Sequence, residues 1–152
     1  TQVAGRSGRG PRGGRVVVQT STPEHPAMRA AAVHDYEAFV QSELPIRESL
    51  LYPPFGSVIR IVVRGAVNDA AADWAKYLVQ RLTEHARDID VIRILGPAPA
   101  PIARIRDRYR WHLQVHGPDP ETLRNLVRLS TADLKTPKEI AWIVDVDPVE
   151  ML

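Results

Sequence analysis

The chain contains 152 residues with a formal net charge of +2 and a hydrophobic share of 44%, which is typical of a globular domain and excludes wholesale disorder. It contains no cysteine, so disulfides and zinc sites built on thiolates are excluded. Because the sequence has neither an apolar run of membrane-spanning length nor a secretory signal, we expect a cytoplasmic protein without a membrane partner.

Arginines are concentrated in two segments of the chain. Residues 1–15 carry four arginines and no acidic residue, and residues 104–110 carry four against the single carboxylate of Asp107. A local concentration of positive charge is the electrostatic footprint of a surface that meets nucleic acid. The two segments are therefore the first candidate binding regions.

The first part of the sequence, residues 1–22, is predicted to belong to a larger protein. It begins at Thr1 without an initiator methionine, and we expect the chain to be a fragment. A turn-rich stretch at 10–14 precedes a β-branched run at 15–20, which is typical of a short buried strand. Such a strand needs neighbouring strands to pair with.

Residues 23–56 are predicted to form a helical linking arm. An alanine-rich helix is expected at 26–34 and an amphipathic helix at 36–51, with Pro45 interrupting the second because proline cannot donate the helical hydrogen bond. A proline-rich turn at 52–56 then ends the helix and marks the start of the next domain.

The third part, residues 57–152, alternates strands and helices. In order, the pattern predicts a strand at 57–64, a helix from an N-cap at Asn68 or Asp69 to about residue 87, a strand at 90–95, a rigid extended connector at 96–101, a hairpin at 102–117 turning near 106–108, a helix capped by Asp119, and a strand at 139–147. The helices are expected to bury two apolar stripes, made of Ala71, Ala75, Leu78 and Leu82 in the first and Leu123, Leu126, Val127 and Leu134 in the second.

The order β-α-β-β-α-β indicates an α+β domain of the ferredoxin-like, split βαβ type, in which two helices cover one face of an antiparallel sheet. In the first strand, Ile59, Ile61 and Val63 alternate with Arg60 and Arg64, as expected for a half-exposed strand. The other face of the sheet is then expected to be open for binding.

The segment Gln2-x-x-Gly5-Arg6-x-Gly8-Arg9 resembles the sixth motif of superfamily 2 helicases. Phosphoryl transfer develops negative charge on the γ-phosphate of ATP, and arginines supplied by a second lobe stabilise that charge. The resemblance implies that Arg6 and Arg9 face the triphosphate, with Gly5 in the nucleotide-binding loop, and that Gln2 positions the attacking water. The alternative is an Arg/Gly-rich tail that binds nucleic acid loosely.

Further segments, spread over nearly the whole chain, resemble one family, the PriA or primosomal protein N-prime helicases. These segments are Thr1 to Arg9, Val18-Gln19-Thr20, Asp35-Tyr36-x-x-Phe39, Glu43-Leu44-x-x-Arg47, Tyr52-Pro53-Pro54-Phe55, Gly96 to Ile102, Arg108-Tyr109-Arg110 and Asp145-Val146-Asp147-Pro148. The resemblance implies that residues 1–22 end the second helicase lobe and that a C-terminal domain similar to ribosomal protein S10 follows. Ser7 replaces the alanine that is common in the family's motif.

The resemblance also implies what the full-length protein does. It is expected to be an ATP-dependent 3′–5′ DNA helicase that acts in replication restart and primosome assembly at stalled forks, binding ATP and Mg²⁺, with zinc held in an upstream region. Expected partners are forked or single-stranded DNA, the tail of single-stranded-DNA-binding protein, and other primosome proteins. Because no Walker A lysine is present, this chain alone is expected to bind no cofactor and to be inactive.

The basic segment of the hairpin is the candidate DNA-binding surface. Its candidate residues are Arg104, Arg106, Arg108, Tyr109 and Arg110. Strand alternation places the four arginines on one face unless a turn near Asp107 breaks it, and phosphate contacts made there would position DNA without reading its sequence. The alternative is a solvated hairpin tip. Arg124 and Arg128, one turn apart on the last helix, are weaker candidates for contact with a partner protein.

Two other groups of polar residues indicate structure and no chemistry. His112 and His116 have the spacing of a helical metal pair, but four residues of strand span about 13 Å, too far to chelate one ion. Asp145 and Asp147 are expected to pair with sheet arginines and not to act as acid and base or magnesium ligands. No metal site is predicted.

Two other classes of protein stay open at this point. One is a free-standing S10-like or ferredoxin-like module that binds RNA or protein and has a basic tail. The other is a small regulatory ligand-binding domain, which requires a polar pocket at a sheet or dimer edge. A Gly-Lys-Thr or Gly-Lys-Ser loop in the preceding sequence of the gene would distinguish a helicase from both.

Overall fold

The computed structural model describes residues 15–148, and its contacts divide the chain into two compact units, residues 1–46 and 47–152. The elements within the described residues are α1 (Pro26–Ala32), α2 (Tyr36–Leu50), β1 (Ser57–Gly65), α3 (Asn68–His85), β2 (Arg93–Ile105), β3 (Arg108–Gly117), α4 (Pro120–Thr131) and β4 (Ile140–Val146). The three-part organisation expected from the sequence, with boundaries after residues 22 and 56, stays a prediction.

Local side-chain caps start both helices of the first unit. α1 begins at Pro26, as predicted, and the Nδ1 atom of His25 accepts a hydrogen bond from the backbone N–H of Ala27 (3.2 Å). Before α2, a carboxylate oxygen of Asp35 accepts a hydrogen bond from the backbone N–H of Ala38 (2.9 Å). These contacts satisfy amide groups that have no partner inside the helix.

Two predictions for this unit are wrong. The run at 15–20 forms no strand, and Val17 and Val18 are 79% and 64% exposed, because no neighbouring strand pairs with them among the described residues. Pro45 does not interrupt α2, which continues through it. The helix tolerates this proline because Gln41, four residues earlier, lies on the exposed side, where water can hydrogen-bond the carbonyl left without a partner.

The second unit is built on a four-stranded sheet with the order β2-β3-β1-β4. Each pair of neighbouring strands is antiparallel. β1 and β2 are therefore parallel to each other, with β3 between them, and α3 connects them. In the same way, β3 and β4 are parallel to each other, with β1 between them, and α4 connects them. This is the split βαβ arrangement, so the predicted α+β, ferredoxin-like fold class is confirmed.

The core lies between this sheet and the two helices. Ile59, Ile61 and Val63 of β1 lie opposite Val115, Leu113 and Trp111 of β3 and face the helices. Both predicted apolar stripes pack against them, except that Leu134 lies beyond the end of α4 and contacts the core from the following segment. Each fully buried leucine or isoleucine contributes about 1.5–3 kcal/mol of hydrophobic free energy, so this layer is the main source of stability.

The two core helices start differently. The predicted N-cap Asp119 is confirmed: its carboxylate accepts a hydrogen bond from the backbone N–H of Thr122 (2.8 Å), and hydrogen bonds from Thr122 lower the pKa of Asp119. The N-cap predicted for α3 is wrong, because Val67 holds that position and makes no side-chain cap. The Asn68 side chain instead accepts a hydrogen bond from the indole N–H of Trp111 (3.1 Å), which ties α3 to β3.

The proline-rich segment was predicted to be a connector and is instead part of a strand. β2 runs from residue 93 to 105, starting later than predicted because Val91 has a left-handed backbone conformation (φ 72°). The ladder with β3 shifts between Leu95 and Ala98 and again between Pro99 and Arg104. Prolines cannot donate ladder hydrogen bonds, so they are accommodated on this edge strand at irregular positions.

Candidate nucleic-acid interface

The basic hairpin joins β2 to β3 through a two-residue turn. Arg106 and Asp107 both have left-handed backbone conformations, with φ values of 49° and 58°, as a type I′ turn requires. The Arg104 guanidinium pairs with the Asp107 carboxylate (3.0 Å) and lies 5.0 Å from the ring centroid of Tyr109. The turn predicted near residues 106–108 is confirmed, and contacts among its own side chains hold it.

The hairpin tip, residues 104–108, exposes three arginines to solvent: Arg104, Arg106 and Arg108. A nitrogen of the Arg108 guanidinium donates a hydrogen bond to the backbone carbonyl of Glu139 (3.2 Å), which ties the tip to the segment that enters β4. Since the tip contains a single carboxylate, that of Asp107, its local charge is positive. It is an accessible cationic surface.

The four arginines of the hairpin do not share one face of the sheet. Arg104 lies directly opposite Tyr109 in the ladder, so both are on the side that the helices cover. Arg110 points to the other side, where it is 8% exposed and donates a hydrogen bond to the carbonyl of Ile102 (3.1 Å). The turn near Asp107, given above as the condition that breaks the alternation, is present, and the four arginines therefore do not line a single face.

The sheet face away from the helices, here called the outer face, is lined by two valines and six polar side chains in its two central strands. Its residues there are Val58, Arg60, Val62 and Arg64 of β1 and Arg110, His112, Gln114 and His116 of β3. The first strand is not half-exposed as predicted, because Val58, Arg60 and Val62 are only 2%, 8% and 2% exposed.

One end of the outer face is closed by the segment that follows α2. The ring of Tyr52 packs edge-on against His116 (centroids 4.8 Å apart), and His116 Nε2 forms a hydrogen bond with Gln114 Oε1 (2.9 Å). Burial and then the charge of Arg93 lower the pKa of His116, while a backbone hydrogen bond with Leu50 acts in the opposite direction. The expectation of an open outer face is therefore wrong at this end.

In the middle of the outer face, an ion pair joins β1 to β4. Arg60 and Asp145 occupy opposite positions in the ladder, and their side chains lie 3.0 Å apart. The ion pair predicted for Asp145 is confirmed. Asp147 does not continue the pattern, since its backbone is left-handed (φ 47°) and its carboxylate accepts a hydrogen bond from the backbone N–H of Val58 (3.2 Å). Neither carboxylate is arranged as an acid–base pair.

The end of the outer face next to the hairpin tip is cationic. Arg64 is exposed and lies directly opposite Arg110 on β3, while its neighbour on β4 is Ala141. Burial lowers the pKa of Arg110, and the charges of Arg64 and then Arg60 lower it further. Burial, followed by the charges of Arg60 and Arg110, also lowers the pKa of His112. Two positively charged side chains, those of Arg64 and Arg110, therefore lie side by side at this end.

Arg124 and Arg128 are exposed on the side of α4 opposite its buried residues, so both predicted partner-binding residues are accessible. One guanidinium nitrogen of Arg128 donates a hydrogen bond to the Asn125 side chain (3.3 Å). Both arginines lie on the helix side of the sheet and belong to a different surface from Arg64 and Arg110.

The predicted nucleotide-site residues Gln2, Gly5, Arg6 and Arg9 lie outside the described residues. Within residues 15–148 no group of three or more histidine, aspartate or glutamate side chains is placed to hold a metal ion. In that same part of the chain, no helix has the length and apolar character needed to cross a membrane.

Sequence reasoning missed the pairing of Arg64 with Arg110. The signal was present, because both residues were assigned to sheet strands and Arg64 was placed on the non-core face of β1. What was lacking was the register between β1 and β3, which sets Arg64 beside Arg110 and not beside His112.

The fold and the site together define a ferredoxin-like α+β domain that carries an arginine-rich hairpin at one end of its sheet. The family model described as "Primosomal protein N C-terminal domain" matches residues 48–149, and the chain belongs to this family. The family resemblance expected from the sequence is confirmed.

Curated relatives match almost the whole chain. A protein of Synechocystis sp. named "Replication restart protein PriA" is 38% identical over 99% of this chain, and one of the same name from Haemophilus influenzae is 32% identical over 99%. The chain spans 18% and 20% of the lengths of these two relatives. Among solved structures, "De novo designed protein Foldit4" covers 62% of this chain and 99% of its own, with a TM-score of 0.43 and 16% identity, too low to support an argument.

Proposed function

We propose that this chain is the carboxyl-terminal part of an ATP-dependent 3′–5′ DNA helicase that acts in the cytoplasm in replication restart and primosome assembly. The family match over residues 48–149 carries this proposal, and relatives named "Replication restart protein PriA" support it. In this function the domain contacts forked or single-stranded DNA and partner proteins, while most of the catalytic machinery belongs to the remainder of the parent protein.

The DNA-contacting part of the proposal is supported by the hairpin tip. Three exposed arginines lie within five residues there, and the ties from Arg104 to Asp107 and from Arg108 to the Glu139 carbonyl order the tip before DNA arrives. Ordered guanidinium groups suit phosphate oxygens, because they present paired donors and stay charged at any physiological pH. The ring of Tyr109 contacts the Arg104 side chain. Arg110, two residues after Arg108 in β3, adds positive charge.

In the parent protein, Arg6 and Arg9 would stabilise the charge that develops on the γ-phosphate of ATP. The Gln2-x-x-Gly5-Arg6-x-Gly8-Arg9 pattern supports this role, with Gln2 beside the attacking water and Gly5 close to the nucleotide. ATP and Mg²⁺ would be held jointly with the parent's other lobe, and zinc would belong to an upstream region. The exposed Arg124 and Arg128 offer cationic contacts for the acidic tail of single-stranded-DNA-binding protein.

The DNA contact is tested by titrating the 152-residue chain with forked and single-stranded oligonucleotides over a range of salt concentrations. We expect the logarithm of the binding constant to fall linearly with the logarithm of salt concentration. Replacing Arg104, Arg106 and Arg108 together with glutamine is expected to reduce the slope by about 2 for single strands, at about 0.7 per lost phosphate contact. An unchanged slope would refute the role of the tip. Arg87→Gln, an exposed charge beyond the far end of α3, is the matched control.

The ATP-site role is tested in the full-length parent protein. Arg6→Ala and Arg9→Ala are each expected to lower DNA-stimulated ATP hydrolysis by about 10³-fold or more while leaving DNA affinity unchanged, because an arginine finger acts only on the transition state. ATP turnover that survives both substitutions would refute the assignment without affecting the proposed DNA contact.

A further inference from the structure

The outer face contains a like-charged pair of arginines. Arg64 and Arg110 lie directly opposite each other on neighbouring antiparallel strands, where like charges destabilise a sheet. A local rule broken in this way is typical of a functional position.

The same strand shows how the conflict is avoided elsewhere. Four residues earlier, Arg60 has the carboxylate of Asp145 opposite it on β4, and the two side chains are 3.0 Å apart. At the equivalent place beside Arg64, β4 carries Ala141. Within residues 15–148 no hydrogen bond or ion pair joins Arg64 to another side chain. Neither strand neighbour of Arg64 therefore offers it a carboxylate.

We propose that Arg64 and Arg110 form a second phosphate-contacting site, on the outer face of the sheet, for a single nucleic-acid strand that also passes over the hairpin tip. Arg64 makes the direct contact, because it is exposed. Arg110 is mostly buried and contributes its positive field and a fixed position, which its hydrogen bond to the Ile102 carbonyl maintains.

Continuity with the hairpin tip favours nucleic acid as the ligand. Arg108 and Arg110 are two residues apart in β3, about 7 Å along the strand, and Arg64 lies directly across from Arg110. One flexible strand can thus meet both sites with nearby phosphates. This inference rests on the proposed DNA contact and extends it from the exposed tip to the sheet.

The site is tested with Arg64→Gln in the 152-residue chain, titrated with a single-stranded thymidine oligonucleotide at several salt concentrations. We expect roughly three- to tenfold weaker binding near 0.1 M salt and a salt slope smaller by about 0.7, the effect of one lost phosphate contact. Arg87→Gln changes the net charge equally at the far end of α3 and is expected to leave both quantities unchanged. Equal effects of the two substitutions would reduce Arg64 to a nonspecific charge and overturn the inference.

Comparison with the triple glutamine variant of the hairpin tip separates this inference from the proposed function. Loss of affinity with the tip variant alone overturns the Arg64 site and leaves the proposed DNA contact intact. Loss with Arg64→Gln alone overturns the role of the tip and leaves the sheet site intact. Losses in both variants that add in the combined variant support both sites, and no loss in either overturns both.

A local measurement tests whether the phosphate reaches this part of the sheet. Added oligonucleotide is expected to shift the NMR signals of the His112 ring, which feels the charge of Arg110, and the Arg64 side chain. The His112 signals are expected to stay in place in Arg64→Gln at matched oligonucleotide concentration. Shifts caused by a polyglutamate peptide and not by the oligonucleotide would overturn nucleic acid as the ligand.

Discussion

The two ends of the outer sheet face differ in the residues that lie beside their arginines. At one end, Tyr52 packs over His116, and Arg60, next along the face, has the Asp145 carboxylate beside it. At the other end, Arg64 lies opposite Arg110 on β3 and opposite Ala141 on β4. A single sheet face can thus divide into a half that stabilises the domain and a half that keeps charge available for a ligand.

The largest expected effect comes from removing the carboxylate of the stabilising half. Asp145→Ala removes the carboxylate that lies 3.0 Å from the guanidinium of Arg60, whose side chain is 10% exposed. We expect the free energy of unfolding to fall by about 1–2 kcal/mol, less than for a fully buried pair because Asp145 itself is 40% exposed. Urea denaturation measures this loss, and Asp145→Asn, which can still accept a hydrogen bond, should lose less.

The same Asp145→Ala variant should bind a single-stranded oligonucleotide more tightly, because removing the carboxylate makes the middle of the outer face more positive. Unchanged or weaker binding by the folded variant would contradict the expected electrostatic effect of the Asp145 carboxylate on the cationic half.

A smaller effect of opposite sign is expected at the cationic half. Arg64→Glu converts the like-charged pair with Arg110 into an attractive one, so the free energy of unfolding should rise by about 0.5 kcal/mol. Oligonucleotide affinity should fall at the same time. Thermal denaturation and binding measured on one preparation check both, and a destabilised variant would show that Arg64 contributes to the fold.

The smallest effect is a pH dependence of stability that arises from His116, in the stabilising half of the outer face. Because burial lowers the pKa of His116 below its ordinary value of 6.5, the unfolded chain takes up a proton more readily than the folded one. His116 therefore costs no stability above pH 6.5, and stability is lost as the pH falls through the folded-state pKa. Denaturation between pH 7.5 and 5 should show this loss.

His116→Gln should flatten that part of the pH profile relative to the unmodified chain. A pH dependence that survives His116→Gln would assign the effect to another group, such as His112, whose pKa burial also lowers.

Much of the fold was predictable from local patterns. The alternating apolar residues of β1, the stripe of α3 and the Asp119–Pro120 start of α4 each depend on neighbours in sequence, and the order of elements then leaves few possible topologies. Predictions failed where solvent exposure or a distant residue decides the outcome. Pro45 is accommodated inside α2, and the indole of Trp111 draws Asn68 away from a capping role.

The sequence by itself determined that this is an α+β domain with an arginine-rich hairpin and a family likeness, since composition, periodicity and spacing are properties of short segments. Only the tertiary structure decided which arginines act together. Arg104 and Arg110 are close in sequence but lie on opposite faces, whereas Arg64 and Arg110 are distant in sequence and adjacent in the sheet. The physical reason is strand register, which depends on packing the whole core and determines which charges lie side by side.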